Sequence, residues 1–249
     1  MCTKTKHKKR RIAFIAVFAA LILCVGGCFL YLSDYYRASE EVNEYFNKGG
    51  DVSVDYIDSG LYLDGPGREN AFIFYPGAKV QYTAYIPLMY ELAESGIDVF
   101  LINMPCNLAI FGINKADDIV SEYNYEHLYL GGHSLGGAMA AVYAAKHADS
   151  TGLEGLILLA AYPTKSLAES DLRVLTIYGS EDKVLNREKI EAGRSLMPPG
   201  ATERVIEGGN HAHFGCYGEQ KGDGTACISA QEQWEQTVSA IIEMVGLDT

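Results

Sequence analysis

From residue 71 onward the chain alternates short apolar runs with helical patterns, and few folds accept that rhythm. The runs AFIFYPG (71–77), DVFLINMP (98–105), EHLYLGGHS (126–134), LEGLILLAA (153–161), RVLTIYGS (173–180) and RVIEGG (204–209) read as strands buried on both faces. Between them TAYIPLMYELAESG (83–96), NKADDIVSEYN (114–124), LGGAMAAVYAAKHAD (135–149), NREKIEAGRSLM (186–197) and SAQEQWEQTVSAIIEMV (229–245) read as helices. This alternation predicts a mostly parallel sheet in a three-layer α/β domain. Ahead of it, VSVDYI (52–57) and GLYLDG (60–65) predict a hairpin turning at Asp58-Ser59. The connection at 162–172 is short for a crossover and leaves no room for a large lid.

The N-terminal region is of another kind. MCTKTKHKKRR carries six Lys and Arg, and residues 12–32 then hold no charge for 21 positions, about the length that crosses a bilayer as a helix. The basic cluster is expected to stay in the cytoplasm, placing the remainder outside. Two rival readings, a cleaved signal peptide and a lipid-anchored Cys28, fit less well, because the apolar run continues through Phe29-Leu30-Tyr31-Leu32. The expected organisation is a tail and transmembrane signal anchor at 1–32, a stalk or lead-in helix at 33–50, and a catalytic domain at 51–249. Residues 33–249 carry 14 Lys and Arg against 32 Asp and Glu, a formal −18. Such a surface repels nucleic acid and suits neutral or cationic substrates. Of the six cysteines, Cys106, Cys216 and Cys227 fall in the domain, where Cys216 and Cys227 can close a short loop or stay as thiols.

Chemistry concentrates at Gly132-His133-Ser134-Leu135-Gly136, a G-x-S-x-G pattern between an apolar strand run and an alanine-rich helix. That context is what a nucleophile elbow requires: glycines keep side chains out of a strained turn and leave the serine oxygen exposed. A serine needs a base, and six histidines are available. His7 lies in the tail, His127 opens a strand, His147 ends a helix, and His133 precedes the serine with its ring expected to point away from the oxygen. His211 and His213 remain, in EGGNHAHFG after a strand end, and His211 is preferred as nearer that end. The H-x-H pair lacks a third ligand of matching spacing for zinc. An orienting acid is expected after RVLTIYGS, where Asp182 is preferred to Glu181. The oxyanion donors are expected at the N–H of Leu135 and in FIFYPGAKV, Ala78 before Gly77. The order Ser134, Asp182, His211 matches the α/β-hydrolase arrangement and neither the chymotrypsin nor the subtilisin one.

Through FIFYPGAKV, GGHSLGGAMAA, IYGSEDKV and EGGNHAHFGCYG, the chain resembles the α/β-hydrolase superfamily over roughly residues 52–246, especially compact, lid-poor serine hydrolases. The resemblance implies the α/β-hydrolase fold without a large cap domain, Ser134 as nucleophile, Asp182 as acid, His211 as base, and Leu135 with Ala78 as oxyanion donors. The chain departs from the common pattern at YPGA, where many relatives begin this loop with His-Gly, and in lacking the cap insertion. The activity so implied is cleavage of a small ester or thioester by a membrane-held serine hydrolase, with no cofactor, no metal and no nucleic-acid partner. Its rivals are an acyltransferase or peptidase on envelope material, told apart by product ratios with added alcohol or amine, and a non-catalytic binding module.

Overall fold

The computed structural model describes residues 2–247, with the side chains at 2–13, 15, 16, 148 and 149 also outside the described set, the basic tail among them. The chain forms two compact units, Met1–Tyr35 and Tyr36–Thr249. The first unit is α1 (Cys2–Ser33), a continuous helix of 32 residues. Phe14, Phe18, Leu21, Leu23 and Phe29 are exposed on it. Among the described residues no helix is long and apolar enough to cross a membrane. The uncharged run of the sequence begins at Ile12, ahead of the continuously described side chains at 17–33.

In the second unit the strands are β1 (Ser53–Ile57), β2 (Gly60–Asp64), β3 (Asn70–Tyr75), β4 (Ile97–Ile102), β5 (His127–His133), β6 (Leu153–Leu159), β7 (Arg173–Gly179) and β8 (Thr202–Ile206). They form one sheet in the order β1-β2-β4-β3-β5-β6-β7-β8. The β1-β2 hairpin and the β2-β4 pair are antiparallel, and the pairs from β4 through β8 are parallel. The helices α2 (Ile86–Glu94), α3 (Ala116–Glu122), α4 (Leu135–Thr151), α5 (Arg187–Arg194) and α6 (Ala230–Val245) follow the segments read as helical.

Alternation along the central strands divides the core. Phe72 and Phe74 of β3 join Leu88 and Leu92 of α2 and Trp234 and Val238 of α6. Ala71, Ile73 and Tyr75 face the other way, toward Ile119 of α3 and Ala140 and Ala144 of α4. Both faces are therefore dry, which accounts for the continuous apolar runs; each large side chain so buried contributes about 1.5–3 kcal/mol. Parallel strands place their carboxyl ends on one edge, and that edge carries the candidate site.

The lead-in differs from the sequence expectation. Residues 34–39 are not helical, Tyr36 forms a parallel bridge with Val80, and a 3-10 helix occupies only Glu40–Asn47. Burial explains the change: Val42 enters the core and Tyr45 packs edge-on to Tyr90 at 5.3 Å, so the segment lies on the second unit and does not stand off it as a stalk.

At the opposite edge the buried Asp98, near the start of β4, accepts from Tyr62 Oη at 3.0 Å, Tyr125 Oη at 2.6 Å and Gly65 N–H at 2.9 Å. These bonds tie the hairpin, β4 and the approach to β5 together. Asp98→Ala leaves Gly65 N–H without its acceptor, while Tyr62 keeps Asp64 at 3.1 Å and Tyr125 keeps Tyr62 at 2.9 Å, and is expected to cost about 1–3 kcal/mol, read from urea unfolding midpoints.

Candidate active site

Ser134 joins β5 to α4 with φ 53° and ψ −120°. Such a conformation costs a residue with a side chain about 1–3 kcal/mol and persists only where its surroundings hold it. They do so here: Ser134 N–H donates to Leu159 O at 2.9 Å, and Ala138 N–H donates to Ser134 O at 3.0 Å. Gly136 explains part of the glycine demand, because a Cβ there would lie 2.0 Å from Tyr75 O and 2.4 Å from Pro76 O. The first turn of α4 thus lies directly against the end of β3. Leu135 N–H, at the start of α4, has no acceptor among the described residues.

Asp182 follows β7 and His211 follows β8, both on the edge that carries Ser134. The pair is buried, with Asp182 Oδ2 2.8 Å from His211 Nδ1. The other carboxylate oxygen accepts from Val184 N–H at 2.9 Å and Leu185 N–H at 2.8 Å. A carboxylate only accepts, so it holds the His211 proton on Nδ1 and leaves Nε2 as the basic nitrogen. The His211 loop is itself fixed: Asn210 N–H donates to Gln233 Oε1 at 3.0 Å, Gln233 Nε2 returns a bond to Asn210 O at 2.9 Å, and Ala212 N–H donates to Asp223 Oδ2 at 2.9 Å.

The remaining histidines lie elsewhere or play other parts. His127 pairs with Glu154 at 2.7 Å at the amino end of β5, which raises its pKa. His147 stacks on Tyr143 at 4.6 Å. The imidazole of His213 has its Nδ1 buried without a partner among the described residues, and burial pushes its pKa down. His133, set aside in the sequence because it was expected to point away, is fully buried with its ring centroid 4.4 Å from that of His211. Strand alternation carries the signal for it, since His133 shares a face with Gly131, whose missing side chain leaves room for rings.

On the 77–80 turn, Gly77 N–H donates to Tyr85 Oη at 3.0 Å and is spent. Ala78 N–H has no acceptor among the described residues, so the second oxyanion candidate falls to Ala78 over Gly77. Glu181 lies half-buried outside the pair. Cys106, Cys216 and Cys227 are free thiols, so the 216–227 loop is not closed by a bridge. That loop lines a cavity of about 470 Å³ with Glu41, His213, Glu219 and Asp223, which shares no lining residue with the elbow. Among the described residues no three His, Cys, Asp or Glu side chains are grouped to hold a metal ion.

Comparison with known proteins agrees with this architecture. The model of the alpha/beta hydrolase family matches residues 71–235. The chain belongs to the alpha/beta hydrolase family. Similar solved structures include carboxyl esterase 2 from the mycorrhizal fungus Tuber melanosporum, at 11% identity and TM-score 0.60, covering 86% of this chain and 92% of that one. A monoacylglycerol lipase from Paleococcus ferrophilus matches at 15% identity and TM-score 0.57, covering 80% and 100%. A membrane phospholipase A described as a bacterial virulence factor matches at 13% identity and TM-score 0.56, covering 96% and 99%. No curated protein sequence matches.

Burial, and then the neighbouring His211, hold the His133 ring well below the usual histidine range. A depressed histidine pKa means that the unfolded chain binds the proton first, so the stability His133 allows is present above about pH 6.5 and is lost as pH falls below it. Relative to His133→Asn, the wild-type chain is expected to lose stability between pH 7.5 and 5, measured as the difference of urea unfolding free energies at the two pH values.

Proposed function

We propose that the chain is a serine hydrolase that cleaves a small ester or thioester through an acyl-enzyme, in a domain held outside the cytoplasm by its N-terminal helix. The observation that carries the reading is the buried Asp182–His211 pair on the edge where Ser134 sits in a strained elbow. In the reaction Ser134 Oγ bonds to the carbonyl carbon while its proton passes to His211 Nε2, and Asp182 stabilises the imidazolium. The N–H groups of Leu135 and Ala78 receive the oxyanion, the former aided by the positive end of the α4 dipole. Collapse breaks the bond to the alcohol or thiol, which takes the His211 proton, and water repeats the sequence to release the acid and restore Ser134.

Ester chemistry is favoured by the kind of proteins that share the fold, a carboxyl esterase and lipases among them. The anchor is favoured by the uncharged run at 12–32 behind six basic residues. The formal −18 of the remainder favours neutral or cationic substrates.

A fluorophosphonate is expected to label the full chain at Ser134, and Ser134→Ala to abolish both labelling and turnover of short acyl esters. Asp182→Asn is expected to lower kcat by about 10³–10⁴ while leaving the fold intact. A wild-type chain that neither takes the label nor turns over any ester defeats the reading. The anchor is judged separately by alkaline carbonate washing of membranes, where release of the full chain into the supernatant counts against it.

A further inference from the structure

Tyr85 is fully buried at the end of the 3-10 turn Tyr82–Tyr85 and touches two parts of the site at once. Its hydroxyl lies 3.0 Å from Gly77 N, from which it accepts, and 2.8 Å from His133 Nδ1. A phenol has one proton. With the Gly77 N–H on one lone pair, His133 Nδ1 is the one acceptor for that proton among the described residues, and pairing it there places the ring's own proton on Nε2. His133 Nε2 is buried without a hydrogen-bond partner among the described residues.

The surroundings of the ring reinforce this proton count. Tyr85 faces it from the 3-10 turn, and His211 and Phe214 face it from the loop after β8, at ring-centroid distances of 5.7, 4.4 and 5.5 Å. Asp182 stands behind His211 and is occupied by three donors, while Tyr217 lies behind Tyr85 at 6.5 Å. Among the described residues no carboxylate bonds to His133. A second proton on the ring would lose the bond from Tyr85 and set a cation against His211 just where the base must itself become charged.

The same hydroxyl sets the oxyanion turn. A Cβ at Gly77 would lie 2.8 Å from both His133 Nδ1 and Tyr85 Oη, so only glycine lets the chain approach this closely. Beyond it, Val80 N–H donates to Gly77 O at 3.3 Å and Lys79 N–H to Asn107 O at 2.8 Å. Every amide of the turn but that of Ala78 is thereby committed.

We propose that Tyr85 and His133 act as a positioning pair, in which Tyr85 locks His133 as its neutral Nε2–H tautomer beneath His211 and, by taking the Gly77 N–H, orients the turn so that the Ala78 N–H meets the oxyanion. Its kinetic consequence rests on the serine-hydrolase reading; the tautomer does not.

The test uses the full chain and a short acyl ester. Tyr85→Phe is expected to lower kcat about tenfold with KM within about twofold, because the lost bond acts on the transition state. Losing the donor to Nδ1 raises the His133 pKa against the burial and the His211 neighbour that hold it down, so the acid limb of the variant's kcat/KM profile should lie at higher pH than that of the wild type. His133→Asn places a carbonyl oxygen near the Nδ1 position and cannot protonate. It keeps an acceptor for the Tyr85 hydroxyl, so it should lower kcat less than Tyr85→Phe does and keep a single acid-side ionisation. Imidazole ¹⁵N spectra of the wild type should show His133 neutral with the proton on Nε2 from pH 5 to 8. A Tyr85→Phe chain with wild-type kcat and pH profile, a His133→Asn chain as impaired as Tyr85→Phe, or a His133 that carries a proton on Nδ1 overturns the pair. Should Tyr85→Phe fail to fold, His133→Asn and the spectra decide. A wild type inactive on every ester defeats the hydrolase reading, and the spectra still judge the tautomer.

Discussion

The backbone at Ser134 is left-handed in φ, and the geometry that holds it is a contact between main chains: the first turn of α4 lies against the carbonyls of Tyr75 and Pro76, closer than any Cβ at Gly136 allows. This contact brings three elements, β3, β5 and α4, to one point. The elbow, the start of the α4 dipole and the 77–80 turn are consequences of that convergence. A cost of about 1–3 kcal/mol for the strained residue is tolerable because β5 lies inside the sheet, paired on both sides by β3 and β6. At a sheet edge the same turn would relax.

The acid and base stand on longer loops, and their precision comes from a different source. Gln233, buried on α6, exchanges two hydrogen bonds with the backbone of Asn210, next to His211. Where β7 ends, Gly179 lies so near Gly209 that a Cβ would be 2.2 Å from its carbonyl carbon, so the two loops carrying Asp182 and His211 start from one packed junction. Helix α6 is therefore part of the support of the candidate site, and a change at Gln233 reaches His211 through one residue of backbone.

Much of this was legible in the sequence because it rests on local pattern. Strands buried on both faces must be continuously apolar, so β3 to β7 were found within a few residues of their observed ends; β8 was found too, but it is an edge strand with four of its five residues exposed and not one buried on both faces. The elbow was legible because its strain needs glycine at fixed offsets. His211 was preferred for its nearness to a strand end and Asp182 for the loop pattern of Lys183-Val184 that follows it, and the structure places them in contact. What escaped depends on partners far apart in the chain. Tyr85 sits in an ordinary helical-looking stretch, and its contact with His133 spans 48 positions with no periodicity to announce it. The same hydroxyl accepts from Gly77 N–H and so removes Gly77 as an oxyanion candidate. The lead-in at 33–48 was misread as wholly helical because its composition is helical, while Val42 and Tyr45 are drawn into a core that local composition does not reveal.

Charge in the site is rationed by geometry. Among the described residues Asp182 is the one carboxylate on the His211 ring, and its other oxygen is saturated by two backbone N–H groups, so a single buried negative charge supports a single buried positive one. Two imidazoles lie 4.4 Å apart above it, and only the one that touches the carboxylate can carry charge at modest cost. The formal −18 of residues 33–249 makes the surrounding field negative and favours that cation without giving it a second partner. An anionic substrate would meet the same field with the opposite sign, and an uncharged ester would meet no barrier. This balance is what the proposed reaction asks for, with charge arising only during it, on an oxyanion facing two amides and on an imidazole facing one acid.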